Sequence, residues 1–177
     1  MNAPLDLQLY ASKTESLKGS ELFAGLDQQQ LLTLASYFEW LKIAADQQVI
    51  CEGEPSDYAV LVVSGAFEVS KGTGLNRRLM AFAKPGSLLG EMGLITAGPR
   101  YASCRAVQDS EIGLLTSERF FLMKVSDPGL HAELVTRIAL QLAGRLVKVS
   151  DAIMTLKEKN DIAVEAARRI LETSAPL

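Results

Sequence analysis

Hydrophobic residues near the start of the chain follow helical spacing. In the stretch GLDQQQLLTLASYFEWL, Asp27 precedes them and Gln30 follows it three positions later, which is the pattern of a capping box. The pattern predicts a short amphipathic helix, whose apolar face consists of Leu31, Leu34, Ala35 and Phe38.

From Val49 to Thr116 the pattern changes to short apolar runs separated by glycine. The runs are VIC, YAVLVVS, AFEVSK, RRLMAFA, ASCRAV and EIGLLT. Their length and their Val, Ile, Leu and Phe content indicate strands, and short strands with glycine turns are typical of a β-barrel or sandwich. The segment KGTGLNRR predicts a hairpin loop, which we interpret as a solvated turn with exposed Arg77 and Arg78.

Helical signals return after the strands. TSERFFLMKV predicts a short helix capped by Thr116 or Ser117, and Asp127-Pro128 predicts the start of a much longer one. In the long helix a mainly apolar seam repeats at alternating steps of four and three, through Leu142, Leu146, Val149, Ile153, Leu156, Asn160, Ala163, Ala167 and Ile170.

This seam has two interpretations. Its first half could pack on the strand domain or pair with a second helix, whereas beyond Ile153 the pattern favours a homodimer. Asn160 falls at an a position, where a buried asparagine selects a parallel pair and its register. The predicted organisation is an N-terminal extension at 1–17, a β-domain with flanking helices at 18–130, a long C-terminal dimerisation helix at 131–173 and a tail at 174–177.

Composition limits the functions that the chain could have. A chain of 177 residues with 48% hydrophobic content can bury one core, and its net charge of -3 lacks the basic footprint of direct DNA binding. The N-terminus lacks a signal-peptide pattern, and no window approaches the ~18 apolar residues of a membrane span. We therefore expect a cytoplasmic protein with no membrane contact.

Reactive residues are sparse. Cys51 and Cys104 are too few for a disulfide framework or an iron–sulfur cluster, and His131 is the single histidine, which we expect at the surface or in a helix cap. A metal-dependent barrel enzyme would need several convergent ligands, and no nucleophile has a histidine base. We predict no catalytic residue, no metal and no enzyme activity.

The stretch LLGEMGLITAGPRYASCRA carries two isolated charges, Glu91 and Arg100. It predicts a strand end at Leu88-Leu89, a helical turn from Gly90 to Ile95, and a loop that returns to a strand. The N–H groups at the start of the turn favour an anion, Arg100 can fork onto phosphate, and Glu91 suits a sugar hydroxyl. These residues alone indicate equally a nucleotide site or a plain Glu91–Arg100 ion pair.

The segment GEMGLITAGPRYASCRA resembles the phosphate-binding cassette of the cyclic nucleotide-binding domain family, which includes the catabolite activator protein and the regulatory subunits of protein kinase A. The resemblance runs from about Leu22 to Asp151 through LFAGLDQQQLLTLA, ICEGEPSDYAVLVVSGAFEVSK and KPGSLLGE. It implies an α+β fold: an antiparallel β-barrel of the double-stranded β-helix, jelly-roll-like type, with flanking N-terminal helices and a long C-terminal helix.

The resemblance also implies a ligand and its contacts. Arg100 would bind the cyclic phosphate and Glu91 the ribose 2'-hydroxyl, with Ser150 of the long helix near the base. The rest of the implied site is the backbone N–H groups of Gly90, Gly93 and Tyr101, and the neighbouring Met92 and Ala102. Tyr101 departs from the family pattern, which commonly has a small residue there, so its ring could reach the ligand, face solvent or narrow the pocket.

We therefore expect a sensor of cyclic AMP that signals through its C-terminal helix to a protein effector. Cyclic GMP and cyclic di-GMP are alternative ligands. A degenerate barrel that serves as an oligomerisation or protein-interaction scaffold is the alternative function.

Overall fold

The computed structural model describes residues 7–96 and 98–173, with side chains at 13–96 and 98–165. The chain divides into two compact units, Met1–Ile138 and Ala139–Leu177. The last helix, α5 (Pro128–Thr173), contributes its beginning to the first unit and the rest of its length to the second.

The first unit opens with helices α1 (Leu7–Lys18) and α2 (Gln28–Ser36), joined through a 3-10 turn at Glu21–Phe23. The predicted capping box is confirmed: the Gln30 N–H donates to the Asp27 carboxylate at 2.8 Å, and the Asp27 N–H donates to the Gln30 side chain at 2.9 Å. The buried face of α2 consists of Leu31, Leu34 and Ala35.

Within the described residues, eight strands form two four-stranded antiparallel sheets, ordered β1-β8-β3-β6 and β2-β7-β4-β5. The strands are β1 (Glu39–Ile43), β2 (Gln48–Ile50), β3 (Tyr58–Ser64), β4 (Phe67–Lys71), β5 (Arg78–Ala83), β6 (Leu88–Leu89), β7 (Ser103–Ala106) and β8 (Ser110–Thr116). The sequence pattern predicted β2 to β8 but assigned the start of β1 to the preceding helix, which ends at Ser36.

A hydrophobic core between the strands receives side chains from both sheets. Its buried members are Ile43, Ile50, Val60, Val62, Phe67, Ala83, Leu89, Cys104, Ala106 and Ile112. The predicted antiparallel, jelly-roll-like fold is confirmed. The described strands make two separate ladders, so no closed barrel is found among them.

The turn between β4 and β5 follows the prediction. A hairpin joins β4 to β5 through a 3-10 turn at Gly74–Asn76, and both Arg77 and Arg78 are exposed there. Arg77 also forms an ion pair with Glu68 of β4, a contact that the sequence pattern did not indicate.

Helix α4 (Ser117–Ser126) is capped by Thr116, whose side chain accepts from the Arg119 N–H at 3.2 Å. The first three turns of α5 bury Leu130, Leu134 and Ile138 within the first unit. His131 lies half-buried on the Phe120 ring, and burial lowers its pKa below the ordinary histidine value.

The second unit consists of the remaining helix. Its predicted seam is helical, and four of its apolar side chains are between 54% and 67% exposed: Leu146, Val149, Ile153 and Leu156. Ala167, Ile170 and the tail lie outside the described side chains. Within the part of the chain that the structure describes, no helix is both long enough and apolar enough to cross a bilayer.

Candidate functional site

A glycine turn connects β6 to the short helix α3 (Glu91–Thr96). Gly90 has φ 72°, in the left-handed region that favours glycine. The Gly93 N–H donates to the Gly90 carbonyl at 3.1 Å, so one of the three expected backbone donors is engaged within the turn. The predicted helical turn is confirmed.

The two charges of this segment lie inside the protein. Glu91 is 3% exposed at the start of α3, whereas the next residue, Met92, is exposed. Gly93 is buried against Ser56, where the space left by its missing side chain is filled by the Ser56 Cβ and Oγ. The turn therefore packs on the segment that leads into β3.

The backbone of Arg100 is held on both sides by one neighbouring turn. Its N–H donates to the Glu54 carbonyl at 2.8 Å, and its carbonyl accepts from the Gly53 N–H at 2.9 Å. An isolated bridge between Pro55 and Pro99 continues this pairing. These bonds fix where the Arg100 side chain enters the protein.

The Arg100 side chain is only 3% exposed, and residues at the start of β3 receive it. Nη1 donates to the Tyr58 carbonyl at 2.6 Å, and the guanidinium carbon lies 4.2 Å from the centre of the Tyr58 ring. Nη2 lies 3.5 Å from an Asp57 carboxylate oxygen, on a side chain that is 75% exposed. The buried charge thus has polar and aromatic partners, as a buried charge requires.

The charges of Glu91 and Arg100 both act on the thiol of Cys104, in β7. Burial raises the pKa of the Cys104 thiol to about 12, while the charge of Arg100 lowers this pKa and the charge of Glu91 raises it. A thiol with so high a pKa stays neutral at physiological pH and is a poor nucleophile. Cys104 is therefore a buried residue of the core, and Glu91 and Arg100 are the groups of this region that can bind a polar ligand.

Tyr101 turns its ring away from the protein interior. The side chain is 67% exposed, and the Lys71 ammonium of β4 lies 4.2 Å from the ring centre. Ala102 is half-buried beside it. Ser150 belongs to the second unit, where its side chain is exposed.

Two residues of the site were missed by the sequence analysis. Asp57 and Tyr58 stand next to each other before the apolar run of β3, an acid and an aromatic ring at a strand entrance. This pair was the sequence feature that could have drawn attention to the site. Neighbouring residues give no indication that it contacts Arg100, which lies more than forty residues later. Among the described residues there is no group of three or more His, Cys, Asp or Glu side chains that could hold a metal ion.

Gly90→Ala should destabilise the fold more than Gly53→Ala. The two glycines have φ 72° and 82°, so alanine is strained at each, at about 1–2 kcal/mol. A Cβ at Gly53 meets nothing within 4 Å, whereas a Cβ at Gly90 would stand 2.6 Å from the Arg100 Nη1. We expect Gly90→Ala to lose at least about 1 kcal/mol more in urea unfolding, because overpacking adds to the strain. Equal losses would show that Arg100 does not need this space.

The chain is similar to proteins whose names refer to cyclic nucleotides. It is 27% identical over 162 residues to the cyclic AMP receptor protein of Thermus thermophilus, covering 91% of this chain and 74% of that protein. A solved cyclic nucleotide-binding domain from Methylobacillus flagellatus matches with a TM-score of 0.72 and 25% identity, over 83% of each chain.

A further solved structure is the regulatory domain of Toxoplasma gondii PKA in complex with cAMP. It matches with a TM-score of 0.58 and 27% identity, covering 66% of this chain and 45% of that chain.

The family model for the cyclic nucleotide-binding domain matches residues 40–124. This range contains β2 to β8 and the whole segment from Gly90 to Ala102. Residues 40–124 of this chain therefore match the cyclic nucleotide-binding domain family, which confirms the resemblance predicted from the sequence.

Proposed function

We propose that this chain is a cyclic nucleotide sensor that binds cyclic AMP at Arg100 and Glu91. The observation that carries the proposal is the buried guanidinium of Arg100, fixed beside the turn that buries Glu91. The Thermus relative is named a cyclic AMP receptor, and the Toxoplasma domain was crystallised with cAMP, which supports this choice of ligand.

Arg100 is the residue that would bind the cyclic phosphate. An arginine carries several N–H donors in a planar fork, and the contacts to Tyr58 and Asp57 use only part of it. Phosphate oxygens match the spacing of such a fork, and the interaction is charge-assisted. A largely buried position strengthens it further, because water screens the charges less there.

Glu91 would accept a hydrogen bond from the ribose 2'-hydroxyl. A carboxylate has two oxygens that each accept hydrogen bonds, so Glu91, which begins the helical turn after Gly90, can accept from a sugar hydroxyl as well as from the protein. The backbone N–H groups of Gly90 and Tyr101 would complete the cradle. Together these groups recognise an anion with a neighbouring hydroxyl, which is the chemistry of a cyclic nucleotide.

The output of the sensor would be a homodimer formed through α5 and acting on a protein effector in the cytoplasm. The exposed apolar seam of the second unit supports this proposal, since exposed apolar stripes mark association surfaces. Ser150 lies at an e position next to the seam. A contact between Ser150 and the nucleotide base would therefore link cyclic AMP binding to helix pairing.

Arg100→Ala should weaken cyclic AMP binding by about 2 kcal/mol or more, roughly 30-fold in Kd, because it removes a charge-assisted contact. Arg105→Ala is the matched control, since Arg105 is an exposed arginine of β7 that binds Gln48 and the Asp46 carbonyl. Calorimetry with cyclic AMP, cyclic GMP and cyclic di-GMP measures both variants. Absence of heat with all three ligands would favour the scaffold alternative.

The protein should sediment as a dimer at concentrations on the order of tens of micromolar. Asn160→Leu should keep or strengthen this association but broaden the distribution of oligomers, because a buried asparagine at an a position fixes register at a cost in stability. Analytical ultracentrifugation of both proteins provides the measurement. A strictly monomeric wild-type protein would refute pairing through α5.

Cyclic AMP should slow amide hydrogen exchange in two regions, Gly90 to Ala102 and Leu146 to Leu156. If bound cyclic AMP favours one conformation of the C-terminal helix, then fixing the helix in that conformation must tighten cyclic AMP binding by the same factor. Both regions are therefore expected to gain protection from exchange. Exchange measured with saturating ligand tests this coupling. Protection confined to the first region would mean that binding is not transmitted to α5.

A further inference from the structure

We infer that Tyr58 is a positioning residue for Arg100, holding the guanidinium in the plane in which it meets the cyclic phosphate. The inference rests on the proposed function of Arg100 and adds a residue outside the segment from Gly90 to Ala102. Tyr58 lies 42 positions before Arg100 in the chain.

Tyr58 contacts the guanidinium in two different ways. The guanidinium carbon lies over its ring, 4.2 Å from the ring centre. Its backbone carbonyl accepts from Nη1 at 2.6 Å, which restrains one edge. A guanidinium that is held both by a ring and by a hydrogen bond from one nitrogen has little freedom to rotate.

The ring itself is anchored across the two sheets. Tyr58 is the first residue of β3 in one sheet, and its hydroxyl donates to the carbonyl of Val49, in β2 of the other sheet, at 2.5 Å. Burial raises the pKa of Tyr58 above the ordinary tyrosine value, in keeping with a hydroxyl that stays protonated and donates. The ring is therefore a rigid platform.

The ring restrains Arg100 more strongly than the neighbouring ion pair does. Asp57 is largely exposed and its oxygen lies 3.5 Å from Nη2, so water and salt screen that contact. A cation–ring contact strengthens when it is removed from water, and the Arg100 side chain is almost fully buried. The orientation of the guanidinium is thus attributed mainly to Tyr58.

A fixed plane matters because phosphate recognition by arginine is directional. The N–H groups point outward within the plane of the guanidinium, and two of them bind phosphate oxygens together only when that plane is correctly oriented. A side chain that is already oriented loses less conformational freedom on binding. Tyr58 therefore raises affinity without a contact to the ligand.

Two substitutions separate the ring from the hydroxyl. Tyr58→Phe and Tyr58→Leu both lose the bond to Val49, so both should lower the urea unfolding midpoint. Only the leucine variant loses the aromatic platform. Calorimetric titration with cyclic AMP should give a Kd within about twofold of wild type for phenylalanine and at least about fivefold weaker for leucine.

The same pair in an Arg100→Lys background tests whether Tyr58 acts through the guanidinium. Lysine keeps the charge but has no planar fork, so the Tyr58→Phe and Tyr58→Leu variants should then differ in Kd by less than about twofold. The role of Tyr58, but not the proposed function, would be overturned if the two variants had equal Kd values with Arg100 in place. The same conclusion would follow if their Kd values differed as much with Lys at position 100 as with Arg. A wild-type protein that binds no cyclic AMP would overturn the proposed function as well.

Discussion

The site depends on one constraint, the burial of a guanidinium charge that cannot be neutralised. Arginine keeps its proton in proteins, so Arg100 must find polar partners wherever its side chain is buried. The fold supplies them from the start of β3, through a carbonyl and an aromatic face at Tyr58 and a carboxylate at Asp57. Gly90 leaves the space that Nη1 occupies. The glycine turn, the strand entrance and the arginine thus form one interdependent arrangement.

Much of the fold could be predicted from local sequence because its signals act over a few residues. The capping box at Asp27, the cap at Thr116 and the start of α5 at Pro128 each depend on neighbours within one helical turn. The helical turn after Gly90 is local in the same sense. Sequence spacing was sufficient for these elements because the interactions that form them join residues close in the chain.

The features that were missed depend on distant partners. The segment EWLKI continues a helical pattern, but it pairs with β8 about seventy residues later, and that pairing makes it β1. Tyr58 and Asp57 acquire their role only when the fold brings Arg100, more than forty residues later, into contact with them. Whether the sheets close into a barrel is likewise decided by strand pairing. Tyr101 is exposed and its ring contacts Lys71, thirty residues earlier in the chain, a contact that no local pattern encodes.

The most direct test is a crystal structure of this chain with cyclic AMP. We predict that the Arg100 guanidinium lies about 3 Å from two phosphate oxygens and remains over the Tyr58 ring, with the Glu91 carboxylate at hydrogen-bond distance from the 2'-hydroxyl. A nucleotide bound elsewhere, or one bound at this turn without contact to Arg100, would contradict it.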